Sequence, residues 1–177
     1  MKVIFLDRDG VINQEVGYLH NSKDFKFIDG TFDACKKFQT LGYKLIIVTN
    51  QSGIARGYFN ENDYKNLTQW MLGQFYKNSI SILDIFYCPH GPESKCDCRK
   101  PKPGMINFLI KKFNIDINRS WLIGDRETDI QAARSASVNS MLITDNLDTT
   151  NIMTDATLMM PNLHYAEKYL KEFYDNE

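Results

Sequence analysis

The chain lacks a long hydrophobic run, lacks an excess of charge of either sign, and has little cysteine outside one short stretch. Its first apolar run, Val3 to Leu6, is four residues long and ends in Asp-Arg-Asp. That is too short for a signal-peptide core and far too short for a membrane span, which needs about 20 apolar residues. A reduced, cytoplasmic protein without a membrane partner is the expectation. Lys and Arg number 21 against 22 Asp and Glu, for a formal net charge of -1, so charge points to no partner class and no basic face suggests nucleic acid. Internal repeats, low-complexity tracts and linkers are missing too. With 177 residues, 43% of them hydrophobic and 24% charged, the chain can bury one full core but is short for two. A single domain over 1–177 follows, and a monomer is the expectation.

What is present alternates. Short apolar runs without sustained polar alternation occur at 2–7 (KVIFLD), 44–50 (KLIIVTN), 84–88 (DIFYC), 121–125 (WLIGD) and 140–144 (SMLIT), the pattern of strands buried on both faces. Helical spacing appears at 31–41 through Phe32, Cys35, Phe38 and Leu41, and at 61–77, behind an Asn60 cap, through Tyr64, Leu67, Met71 and Phe75. It recurs at 104–113, after Pro103, through Ile106, Leu109, Ile110 and Phe113, and near 163–174 through Leu163, Ala166, Leu170 and Phe173. These stripes suit helices with one buried face. The alternation predicts an α/β fold of three layers, a Rossmann-like parallel sheet flanked by helices.

Three of the four cysteines and one of the three histidines fall within residues 88–98, as Cys88-x-His90-x5-Cys96-x-Cys98. Four soft donors can close a tetrahedral zinc shell, and four protein ligands mark a structural ion where a catalytic one keeps an open position. The alternative is a surface loop of free or paired thiols. A disulfide scaffold fits poorly, because such scaffolds belong to short secreted chains. Cys35, flanked by Phe32 and Phe38 at helical spacing, suits a core thiol. His20 and His164 have no neighbouring partner for a catalytic base and suit the surface.

In parallel sheets ligands bind beyond the carboxyl ends of the strands. The segments there are DRDG (7–10), TNQSG (49–53), the cysteine cluster followed by RKPKPG (99–104), and GDRETD (124–129). In extended chain, Asp7 and Asp9 would face one side with Arg8 turned away. Two facing carboxylates repel unless a cation lies between them, and Mg²⁺, which takes oxygen ligands and keeps waters for a phosphate, suits the pair with Asp125 as a third oxygen. Thr49, Asn50 and their backbone N–H groups, together with Lys100, could then hold phosphate oxygens. DRDG alone would be an unremarkable acidic turn; four such segments in order point to a phosphoryl-transfer site.

The stretches FLDRDGVIN, VTNQSG, KPKPGM and GDRETD resemble the four ordered motifs of the haloacid dehalogenase superfamily of phosphatases, from Val3 to about Thr144. Within it, the Cys-x-His…Cys-x-Cys-Arg-Lys-Pro run is similar to two capless groups, the heptose bisphosphate phosphatases and the histidinol-phosphate phosphatases. GYLHNSKDFKFIDG (17–30) and NQSGIARGYF (50–59) resemble the former more closely, whereas the five-residue spacing from His90 to Cys96 and Arg126 look more like the latter. The resemblance implies a capless, zinc-looped fold in which Asp7 is the nucleophile and Asp9 the general acid and base. It also implies that Mg²⁺ is held by Asp7, the backbone carbonyl of Asp9 and Asp125, with Asp129 behind them, and that Thr49 and Lys100 stabilise the phosphoryl oxygens. Glu15, Val16, Gly17, Tyr18, Asn50, Gln51, Ser52, Arg99 and Arg126 are implied at the substrate. With about 40 residues between the first and second motifs there is no room for a cap domain, so the zinc loop and residues 15–28 must cover the substrate, zinc fixing where Arg99 and Lys100 point.

Three functions are compatible with this reading. One is a phosphatase acting on C7 of a heptose 1,7-bisphosphate, a small phosphorylated sugar on the way to nucleotide-activated heptose. Another is a histidinol-phosphate phosphatase or similar small phosphomonoesterase. The third is a zinc-bearing phosphate-binding protein without turnover, against which the presence of both Asp7 and Asp9 weighs. A nucleic-acid 3′-phosphatase has only Lys95, Arg99, Lys100 and Lys102 in its favour, with no stacking motif beside them.

Overall fold

Six strands pair in parallel into one sheet in the computed structural model, which describes residues 1–145 and 153–175. They are β1 (Val3–Leu6), β2 (Lys44–Asn50), β3 (Ile82–Cys88), β4 (Trp121–Gly124), β5 (Asn139–Ile143) and β6 (Leu158–Met160), in the order β3-β2-β1-β4-β5-β6. Five helices connect and flank them: α1 (Thr31–Thr40), α2 (Glu61–Lys77), α3 (Gly104–Phe113), α4 (Glu127–Ser135) and α5 (Leu163–Asp175). None of them is long and apolar enough to cross a membrane.

The continuous apolar runs explain the central strands. Alternate residues of a strand face opposite sides, so Ile4, Leu6, Leu45 and Ile47 enter one core while Val3, Phe5, Ile46 and Val48 enter another. The first core takes Cys35 and Phe38 of α1, Leu67, Met71 and Phe75 of α2, and Leu163, Ala166 and Leu170 of α5. The second takes Ile106 and Leu109 of α3 with Ala132 and Ala133 of α4. Helices therefore cover both faces, the three-layer arrangement that the alternation predicts. The side chain of Phe173 lies outside the described residues. Asn60 does cap α2: its side chain accepts from the N–H groups of Asn62 and Asp63, and Asp63 accepts from the Asn60 N–H in return, satisfying three donors left open at the helix start.

Two elements go beyond the sequence expectation. The helix between the fourth and fifth strands is α4, whose buried residues, Asp129, Ile130, Ala132 and Ala133, include one large apolar side chain and so give a weak periodic signal. The sixth strand, Leu-Met-Met at the sheet edge, is only three residues long and partly exposed, too short for an apolar run to register. The strand order runs outward from β1 toward β3 on one side and from β4 toward β6 on the other. Between β1 and β4 the direction of winding reverses, leaving a crevice beyond their carboxyl ends.

Candidate active site

Asp7 begins where β1 ends, Thr49 and Asn50 are the last residues of β2, and Asp125 follows β4, so the crevice collects groups far apart in sequence. A cleft of about 440 Å³ opens there, with Asp7, Thr49 and Lys100 at its buried floor and Arg56, Arg99 and Arg126 also among its lining residues. Of the residues implied at the substrate, Glu15, Gly17, Tyr18, Asn50, Gln51, Ser52, Arg99 and Arg126 line it. Val16 does not; it is exposed beside the cleft. His20 and His164 lie on the surface.

Lys100 is the centre of the floor. Its Nζ donates to Asp7 Oδ1 at 2.8 Å and to the Val48 carbonyl at 2.8 Å, and pairs with Asp129 Oδ1 at 2.5 Å. Burial would strip the ammonium of its proton, but the Asp129 and Asp7 carboxylates outweigh it and hold the pKa above the usual lysine range. Burial pushes the Asp7 carboxyl up to about 7, against the pull of Lys100. Asp125 is likewise pushed up by burial, to about 6. Its Oδ2 lies 3.9 Å from Arg126 Nε, while its Oδ1 is buried and has no hydrogen-bond partner, which fits a carboxylate oxygen placed to hold a cation.

The ligand atoms of Asp7, Asp125 and Asp129 lie within 4.8 Å of one another, and hard carboxylate oxygens fit Mg²⁺. Asp129 is already engaged, one oxygen with Lys100 and the other accepting from the Arg126 N–H at the start of α4. That leaves Asp7 and Asp125 as the carboxylates fitted to a cation. Gly10 makes the approach possible: at φ +87°, any Cβ there would come within 2.0 Å of Asp125 Oδ2.

The expectation that Arg8 turns away from Asp9 is wrong. Strand β1 stops at Leu6, so the alternation of a strand no longer holds at residues 7–9. Arg8 is almost fully buried and folds back on Asp9, with Nη2 to Oδ2 at 2.8 Å and Nε to Oδ1 at 3.2 Å. Asn13 Nδ2 donates to Asp9 Oδ1 at 3.0 Å and Gln51 Nε2 to Oδ2 at 3.1 Å. The Asp9 carboxylate therefore faces these donors and is absent from the group of carboxylates around Asp7. Asn50 is a second correction. Its amide donates to the Lys100 carbonyl at 3.0 Å and accepts from the Lys100 N–H at 3.1 Å, so the side chain holds the lysine's backbone in place of a phosphate.

The cysteine loop closes as its spacing predicts. Cys88 Sγ lies 3.8 Å from Cys96 Sγ and 3.1 Å from Cys98 Sγ, and His90 Nδ1 is 3.5 Å from Cys88 Sγ and 3.3 Å from Cys98 Sγ. A tetrahedron with Zn–S bonds of about 2.3 Å has edges of roughly 3.8 Å, so the four donors fit Zn²⁺ once the 3.1 Å Cys88–Cys98 edge widens slightly. Gly104 packs beneath this loop, where an added Cβ would meet the Asp97 carbonyl at 2.2 Å. That close contact accounts for the glycine of KPKPG. Arg99 donates from Nη1 to the His90 carbonyl at 3.2 Å, which ties it to the loop, whereas Lys100 is held chiefly by Asn50, Asp7 and Asp129. Sequence reasoning assigned no role to Arg8 or Arg56; Arg56 lies in the NQSGIARGYF stretch, but one exposed arginine carries no signal of its own.

A family described as HAD-hydrolase-like matches residues 97–164. A D-glycero-alpha-D-manno-heptose-1,7-bisphosphate 7-phosphatase of Photorhabdus laumondii is 42% identical over 97% of each chain. A D-glycero-beta-D-manno-heptose-1,7-bisphosphate 7-phosphatase of Helicobacter pylori is 46% identical over 98% of this chain and 95% of its own. Among solved structures, the D,D-heptose 1,7-bisphosphate phosphatase of B. bronchiseptica, complexed with magnesium and phosphate, superposes with a TM-score of 0.87 at 30% identity, covering 97% of this chain and 99% of its own. Similarity at this level over nearly the whole length means that the chain belongs to the heptose-1,7-bisphosphate 7-phosphatase family of haloacid dehalogenase-like hydrolases.

Proposed function

We propose that the protein is a Mg²⁺-dependent phosphatase that removes the C7 phosphate of D-glycero-D-manno-heptose 1,7-bisphosphate, and that its Cys₃His loop holds a structural Zn²⁺. The relatives named for this reaction support the substrate, and the B. bronchiseptica enzyme's magnesium and phosphate support the cofactor. The observation that carries the reading is the division of one cleft into a buried floor of Asp7 and Lys100 and a more exposed lining with three guanidiniums, Arg56, Arg99 and Arg126. A bisphosphate needs both regions, one for the phosphate that reacts and one for the phosphate that stays.

Asp7 attacks phosphorus and the sugar C7 oxygen leaves, taking a proton from Asp9. Asp9 then accepts a proton from the water that attacks the aspartyl-phosphate, which releases inorganic phosphate and frees Asp7. Thr49 donates to a phosphoryl oxygen as charge builds there, and Lys100, whose three N–H groups are taken by Asp7, Asp129 and the Val48 carbonyl, stabilises that charge through its own positive charge beside Asp7. Asp7, Asp125 and the backbone carbonyl of Asp9 would hold Mg²⁺, which when bound would supply positive charge to the transferring group. A reducing, cytoplasmic setting suits the unpaired thiols and the small phosphorylated substrate.

Histidinol phosphate fits less well. Its imidazole and ammonium need an anion, and the carboxylate at the mouth, Glu15, is already paired with Arg126 at 2.6 Å. Phosphate release from the two substrates under identical conditions tests the reading. Heptose 1,7-bisphosphate should have a kcat/KM higher by at least about 100-fold, with the C1 phosphate retained in the product by ³¹P NMR. Equal or faster turnover of histidinol phosphate would overturn it.

A further inference from the structure

Gln51 lines the cleft, yet it is 4% exposed and both ends of its carboxamide have partners inside the protein. Oε1 accepts from Arg8 Nη2 at 3.3 Å, while Nε2 donates to Asp9 Oδ2 at 3.1 Å and to Thr49 Oγ1 at 2.9 Å. Only this orientation of the amide is chemically consistent. Arg8 can only donate, so exchanging oxygen and nitrogen would set the Gln51 amine against the guanidinium and break that contact.

The fixed amide has a consequence for Thr49. Because Thr49 Oγ1 receives a proton from Gln51, its own O–H cannot point back at Gln51. Among the described residues the Thr49 hydroxyl accepts from Gln51 and donates to no protein acceptor. Thr49 is buried at the floor and lines the cleft, so its proton is left for an acceptor placed there.

We propose that Gln51 is a positioning residue: held by Arg8 and Asp9, it dictates the direction of the Thr49 hydroxyl so that the proton is donated to a phosphoryl oxygen in the cleft. This rests on the phosphatase reading and adds to it the group that orients one of its phosphate donors. It also replaces a direct substrate contact for the Gln51 side chain with an indirect one. Asp9 keeps its bonds to Arg8 and Asn13 when Gln51 is removed, so the effect of removal falls mainly on Thr49.

A double-mutant cycle on the full chain with Mg²⁺ and Zn²⁺ tests this. Gln51→Leu should lower kcat about 10- to 100-fold while KM changes by less than about threefold, because the misdirected donor acts on the reacting group. In a Thr49→Val background the same change should cost less than about threefold, and in a Thr49→Ser background, where the hydroxyl survives, the loss should return. Gln51→Met, close in volume, serves if the leucine variant does not fold. A raised KM with kcat retained, or additive losses with Thr49→Val, would overturn the inference while leaving the phosphatase reading intact. A parent protein inert on both heptose bisphosphate and p-nitrophenyl phosphate would overturn both.

Discussion

At the scale of single residues, the site depends on where three charged groups are held. Asp7 is buried, its carboxyl pushed up to about 7, and it lies 2.8 Å from Lys100. In the proposed role of nucleophile it would have to be ionised, and an amide keeps its shape without the chemistry. Asp7→Asn is therefore expected to reduce phosphate release by at least about 1,000-fold with an unchanged far-ultraviolet circular dichroism spectrum. Release near the parent rate would mean that water attacks phosphorus directly. Arg99 is remote from Asp7 in its proposed role: it is tied to the His90 carbonyl and would offer a planar donor to the phosphate that stays. Arg99→Ala should lose most of the preference for bisphosphate over simple monophosphates and leave slow hydrolysis of p-nitrophenyl phosphate nearly unchanged. Comparing kcat/KM on the two substrates measures it, since a contact far from phosphorus contributes through binding.

At the scale of elements, the zinc loop and the end of β2 divide the work of placing two neighbouring cations. The sequence suggests that zinc fixes both Arg99 and Lys100, but the Lys100 backbone is paired with Asn50 through two hydrogen bonds and its Nζ with Asp7, Asp129 and the Val48 carbonyl. Loss of the loop should therefore reach Arg99 more than Lys100. Cys96→Ser is expected to release zinc and raise KM for the bisphosphate about tenfold or more, with kcat falling less than about threefold. Structural zinc can contribute ~10–16 kcal/mol of apparent binding free energy in finger peptides, yet here a sheet with a core on each face folds around it. A modest fall in melting temperature is the expected result, read by calorimetry beside a zinc assay. A kcat that collapses with KM unchanged would show that Lys100 also depends on the loop.

Across the whole molecule, metal binding, protonation and stability are coupled through Asp7 and Asp125. Burial raises both, to about 7 and about 6, so in the metal-free protein they keep protons that the unfolded chain loses near its ordinary carboxylate values. Between roughly pH 4 and pH 7 the native state binds more protons than the unfolded one, and the contribution of these groups to stability falls as pH rises through that window. Mg²⁺ held by Asp7 and Asp125 as proposed would reverse the trend, because it would bind the ionised forms and displace the protons. Titration calorimetry should show Mg²⁺ binding tighten between about pH 5.5 and about pH 8, with protons released. Chelation of Mg²⁺ should abolish activity, and Mg²⁺ alone should restore it while zinc stays bound, because hard oxygens and soft thiolates select different ions. Recovery with Zn²⁺ in place of Mg²⁺ would contradict the division of the two sites. Local patterns determined much of this protein from sequence alone: continuous apolar runs specify strands with two buried faces, helical stripes specify the layers over them, and Cys-x-His…Cys-x-Cys specifies a closed zinc set because its donors are close along the chain. The four polar segments could be placed at one rim because parallel strands all end there. Tertiary structure alone decided which side chains meet within that rim. Arg8 turns back onto Asp9 because β1 ends one residue before the motif begins, and Gln51 reaches Arg8, 43 positions away in sequence. Asn50 takes the Lys100 backbone in place of a phosphate. Such pairings follow from strand order and from how loops close at the crevice, and neither is encoded in the periodicity of any single segment.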